Sequence, residues 1–76
     1  MNNTRRKELA KVKEAIEEAR DNIEVLRDEE QEYVDNMPES LQSSERAEVA
    51  EAAVSCMDDA INSLEEAVGS IEEAEA

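Results

Sequence analysis

Apolar residues in the first half of the chain fall at Leu9, Val12, Ile16, Ala19, Ile23 and Leu26, and Tyr33 continues the series. Alternating steps of three and four are the mark of a heptad seam on an α-helix. Glu30 holds the next seam position, where one polar residue fixes register or opens the seam to water. The second half is more regular. Ala53–Asp59, Ala60–Glu66 and Ala67–Glu73 repeat one seven-residue pattern, and Ala74 begins it again. Its large residues, Val54, Met57, Ile61, Leu64, Val68 and Ile71, alternate at three and four, with Ala53, Ala60, Ala67 and Ala74 in a smaller column beside them. Such a stripe is wider than a bare coiled-coil seam and matches the face of a bundle helix.

Between these blocks lies Asp35-Asn36-Met37-Pro38-Glu39-Ser40-Leu41-Gln42-Ser43-Ser44. Asn36 favours a helix end, and Pro38 drives Met37 out of the α region. Ser43 or Ser44 suits the N-cap of a second helix, with Glu45 well placed in its first turn. Asn36–Glu39 also fits the start of one short helical turn inside the connection. The expected elements are a helix over about 4–35, a turn over 36–43 and a helix over 44–75. Two helices of equal length joined by a short loop make an antiparallel hairpin. The fold class is therefore all-α, a coiled-coil-like two-helix hairpin over residues 1–76.

Folding at the loop pairs Leu9 with Ile71, Val12 with Ala67, Ile16 with Leu64 and Ala19 with Ala60. Ile23 then meets Met57, Leu26 meets Ala53 and Tyr33 meets Ala47. Large faces small in several of these layers, which allows close approach. One facing helix covers only part of the wide second stripe. Val54, Met57, Ile61, Leu64, Val68 and Ile71 are thus expected to serve as an oligomer or partner interface, and two hairpins are expected to pair as a homodimeric four-helix bundle.

Composition alone would suggest disorder, since one residue is aromatic and the net charge is −14. The heptad periodicity overrules it. The charge is also uneven: residues 1–13 carry five bases and one acid, net +4, and the remainder carries three bases and 21 acids, net −18. Arg5, Arg6 and Lys7 sit at a helix N-terminus and Glu72, Glu73 and Glu75 at a C-terminus, each disfavoured by the helix dipole. The hairpin brings the two misplaced clusters together.

Direct nucleic-acid binding is not expected of so acidic a surface. No apolar run reaches the length of a membrane span, and Met1–Lys7 has no signal-peptide hydrophobic stretch. With a single cysteine, Cys56, and no membrane segment, the expected compartment is the cytoplasm. No intrachain disulfide can form, and without histidine there is no Cys/His metal site.

The chain has no glycine-rich phosphate loop and no nucleophile with a base at a recognisable spacing, so no enzyme, cofactor or metal is expected. Asp58, Asp59, Glu65 and Glu66 lack the loop from which calcium ligands converge. Cys56, beside Met57, is expected to be half-buried. The acidic face, Glu51, Asp58, Asp59, Glu65, Glu66, Glu72 and Glu73, repeats every seven residues, about 10.5 Å along the axis. Such a row fits either a solvated face or a decoy that imitates a nucleic-acid backbone.

The stretch Asp28-Glu29-Glu30-Gln31-Glu32-Tyr33-Val34-Asp35-Asn36-Met37-Pro38-Glu39-Ser40-Leu41-Gln42-Ser43-Ser44-Glu45-Arg46 resembles a family of small acidic helical proteins from phages and prophages of Gram-positive bacteria. The basic N-terminus and alanine-rich acidic second helix are similar too. No activity is established for that family. The resemblance implies an accessory protein of a mobile element, working in the host bacterial cell. The expected function is a non-enzymatic module that binds itself and another protein through helical faces. The alternative is an acidic mimic that occupies a host nucleic-acid-binding or defence protein.

Overall fold

Capping chemistry sets where the helices begin and end. In a computed structural model, which describes residues 1–76, helix α1 spans Asn3–Asp35 and helix α2 spans Glu45–Glu75. The Asn2 side chain accepts the Arg5 backbone N–H at 2.8 Å and satisfies one orphan donor of the first turn. α1 stops at Asn36, where φ −90° and ψ 0° leave the helix. The Met37 N–H turns back to the Val34 carbonyl at 3.1 Å, and Pro38 is extended. Glu39–Leu41 forms one 3₁₀ turn, the short helical turn expected within the connection. Ser44 then caps α2: its hydroxyl accepts the Ala47 N–H and donates to the Leu41 carbonyl.

The helices lie antiparallel in a body 59 Å long and 14 by 12 Å across. They form the expected all-α hairpin, a single layer of two helices with no strand. Val34, Met37, Ala47 and Ala50 close the core at the loop end, and Val54, Ile61 and Val68 carry it along α2. No other residue is buried, and no large side chain is fully enclosed.

On α2 the inward positions run Ala47, Ala50, Val54, Met57, Ile61, Leu64, Val68, Ile71, the stripe expected from its repeat. On α1 the inward series differs from expectation. Leu9, Ile16, Ile23 and Glu30 do face α2, but the alternating partners are Lys13, Arg20, Arg27 and Val34. The expected partners Val12, Ala19, Leu26 and Tyr33 are exposed. α1 is therefore rotated by part of a turn, and the layers that set Val12, Ala19, Leu26 and Tyr33 against α2 alanines do not form as core layers.

The cations in the inward columns of α1 find partners at the rim of α2. Arg27 Nε donates to Asp58 at 2.9 Å, and Lys13 lies 3.8 Å from Glu75. The hydrocarbon stems of such side chains cover apolar surface while the charged heads reach acids at the rim. Asp58 lies about one and a half turns further along α2 than folding at the loop would place opposite Arg27. Side chains tilt toward the start of their own helix, so the stem of Arg27 runs toward the end of its antiparallel neighbour.

Candidate functional site

The rotation of α1 gives the hairpin two unlike flanks. One is charged. Glu24, Arg27, Asp28, Asp58 and Glu65 line a groove on that side, and a second depression at its loop end is lined by Gln31, Asp35, Gln42 and Glu51. Hydrogen bonds hold the arginines here: Arg27 to Asp58 and Asp28, Arg20 to Asp21 at 3.1 Å. Bonding to Asp58 raises the Arg27 pKa above its ordinary value. Bonding to Asp21, with added field from Glu17 and Glu65, does the same for Arg20. The guanidinium charge of both is secure throughout the working pH range.

The other flank is apolar. Val12, Ala19, Leu26 and Tyr33 repeat at seven-residue spacing along α1, with Val12 49 %, Leu26 56 % and Tyr33 44 % exposed. On α2 the matching column is Arg46, Ala53, Ala60, Ala67 and Ala74, its three middle alanines half-buried. One cavity lined by Tyr33, Met37, Pro38, Leu41 and Arg46 puts the two columns on the same side at the loop end. The stripe continues there through Leu41, itself exposed.

The residues expected at an oligomer or partner interface occupy a different place. Val54, Ile61 and Val68 are buried and Met57, Leu64 and Ile71 half-buried, all against α1 within one chain. Half-buried Lys13, Arg20 and Arg27 stand beside the aliphatics of α1 on the face turned to them, where long stems can cover apolar width. The stripe left uncovered belongs to α1. A sequence signal for it exists: cations at Lys13, Arg20 and Arg27 share the seven-residue spacing of acids at Asp58, Glu65 and Glu72. Of these columns Arg27 and Asp58 form an ion pair, and Arg20 lies in the field of Glu65.

The acidic residues are divided. Glu51, Asp59, Glu65, Glu66, Glu72 and Glu73 are exposed, and Asp58 is half-buried and held by Arg27. No group of three or more His, Cys, Asp or Glu is placed to hold a metal ion. The basic N-terminus meets α2 more narrowly than expected. Arg6 Nε donates to the Glu75 carbonyl at 3.1 Å and Lys13 pairs with the Glu75 carboxylate. Arg6 and Lys13 lie in the inward columns with Glu75; Arg5 and Lys7 do not, and Glu72 and Glu73 form no ion pair. The Glu75 Oε1 atom is buried without a partner. Cys56 is exposed rather than half-buried, because it lies beyond the alanine column on the outer surface of α2.

No helix is long and apolar enough to cross a membrane. No family model, curated protein or solved structure matches the chain.

Proposed function

We propose that the chain is a non-enzymatic protein–protein interaction module that binds through the apolar flank of α1. The observation that carries this reading is the uncovered column of Val12, Leu26 and Tyr33, beside half-buried alanines that let another helix come close. Aliphatic and aromatic side chains at seven-residue spacing are what a facing helix needs for interdigitation. The resemblance of residues 28–46 to small phage and prophage proteins gives the setting: an accessory protein in the cytoplasm of a host bacterium. Neither membrane nor nucleic acid is a direct partner in this reading.

Affinity capture from a host extract tests it. Wild-type protein and Leu26→Asp are used as baits at equal salt, and bound proteins are quantified by mass spectrometry. A partner of the flank is retained by wild type and lost with Leu26→Asp. Identical capture by the two baits contradicts the reading.

A second reading has its own support. Glu51, Asp59, Glu65, Glu66, Glu72 and Glu73 are exposed on one helix at heptad intervals, free to meet a basic groove as a nucleic-acid backbone does. Binding by such an acidic decoy survives Leu26→Asp and falls steeply as salt rises. Apolar docking shows the opposite behaviour in both tests.

A further inference from the structure

We infer that the apolar flank is covered by a second copy of this chain, laid antiparallel, so that α1 packs on α1 and α2 on α2 in a four-helix bundle. This names the partner for the flank and rests on the reading that the flank binds protein.

Charge selects the orientation. Along α1, residues 1–13 carry net +4, whereas residues 28–35 hold five acids and no base. A two-fold axis across the helices, through the middle of the stripe, lays the basic start of each α1 beside the acidic end of the other. It also sets the −8 of residues 28–51 beside an end whose residues 1–13 and 65–76 together carry −1. The remaining two-fold arrangement, with its axis along the helices, puts both loops at one end. Residues 28–51 contain nine acids and one base, so that arrangement sets −8 beside −8. Opposite fields guide and orient association, and like fields oppose it.

Shape agrees with charge. With the axis midway between Ala19 and Leu26, Val12 of one copy faces Tyr33 of the other, and Ala19 faces Leu26. Each large side chain is set against a smaller one. At the same height on α2 the axis passes between Ala53 and Ala60, so alanines meet alanines and the two α2 helices can approach closely. A two-fold operation covers the same surface on both copies at once.

Burial supplies the need for a second layer. Seven of 76 residues are buried in the single hairpin, all of them apolar, and no large side chain is fully enclosed. Chains of this size rarely gain a sufficient core from one thin layer, and this one has a single cysteine and no cluster of His, Cys, Asp or Glu placed to hold a metal ion.

Sedimentation equilibrium at micromolar concentration and physiological ionic strength tests the pairing. Wild type should sediment at twice 8.5 kDa. Leu26→Asp should sediment at 8.5 kDa and keep its helical circular dichroism, because residue 26 is exposed in the single hairpin. If the aspartate unfolds the chain, Leu26→Gln repeats the test with a stronger helix former. A spin label on Ser40→Cys, in a Cys56→Ser background, reports orientation. α1 ends about 13 residues from the axis and residue 40 lies in the loop beyond it, so at 1.5 Å per residue the labels should be about 40 Å apart or more. A monomeric wild type, a dimer that survives both Leu26 variants, or labels close together would each overturn the inference. The monomer result removes self-pairing alone, since the capture comparison between wild type and Leu26→Asp still reports whether the flank binds another protein.

Discussion

The two flanks of the hairpin are built by the same pair of helices, yet one is knitted by ions and the other is left bare. On the charged flank Arg27 reaches Asp58, and Arg20 lies in the field of Glu65. On the apolar flank Val12, Leu26 and Tyr33 face outward with nothing over them. The difference teaches that a helix can set cations rather than its most hydrophobic column against its neighbour when their long stems cover the seam. Turning α1 back by half a column would bury Leu26 and Val12, but it would draw Arg27 away from Asp58 and uncover the apolar surface its stem protects. Exposed aliphatics are tolerable in one chain if another surface covers them later.

The sharpest way to break that comparison is to put a charge between the flanks. Ile61 is buried in the seam, so Ile61→Asp should destabilise by about 3 kcal/mol or more and abolish the cooperative melt. The same change at exposed Leu26 should leave the helical signal intact. Equal damage at both sites would show that the seam is rotated from the one described.

Deleting methyl groups sharpens it further. Val68→Ala should lower stability by about 1–3 kcal/mol, because its neighbours cannot fully collapse onto the space. Val12→Ala, in dilute protein, should change stability by less than about 0.5 kcal/mol, as exposed sites do. Chemical denaturation followed by circular dichroism measures both.

Gly69 lies on the exposed surface of α2, outside either flank, and a Cβ built there meets nothing within 4 Å. Gly69→Ala should stabilise by about 0.5–1 kcal/mol through helix propensity alone. No gain would mean that position 69 is covered.

The smallest effects belong to the charged flank. A double-mutant cycle with Arg27→Ala and Asp58→Ala should give a coupling below the Gly69 effect, because water screens this pair. The melting temperature should nevertheless rise between low and moderate salt. Beyond residue 13 there are 21 acids against three bases, and salt relieves that repulsion more than it weakens five ion pairs. A fall in melting temperature would mean that attraction within the ion pairs outweighs the repulsion among the acids.

The helix ends were legible in the sequence, because Asn36, Pro38 and Ser44 each act through their own backbone neighbourhood. The α2 stripe was legible too, since only one of its faces is aliphatic. The rotation of α1 was not. Leu9, Ile16 and Ile23 form a heptad series equally well with Val12, Ala19 and Leu26 or with Lys13, Arg20 and Arg27. Hydrophobicity favours the first choice, and the acids that favour the second lie on the other helix. Periodicity within one helix carries no information about its partner's rim. The same gap explains Glu75, which takes contacts from Arg6 and Lys13, where Arg5, Arg6 and Lys7 were expected to meet Glu72, Glu73 and Glu75 together.

Tyr33 is the only aromatic residue and stands in the outward column of α1, 44 % exposed. Quenching of its fluorescence by acrylamide, a neutral probe indifferent to the surrounding acids, reads the rotation of α1 in the unmodified protein. Tyr33 should be freely quenched in dilute, folded monomer and become shielded as the concentration rises. Shielding that is complete at the highest dilution would place Tyr33 inside the hairpin seam and contradict the account.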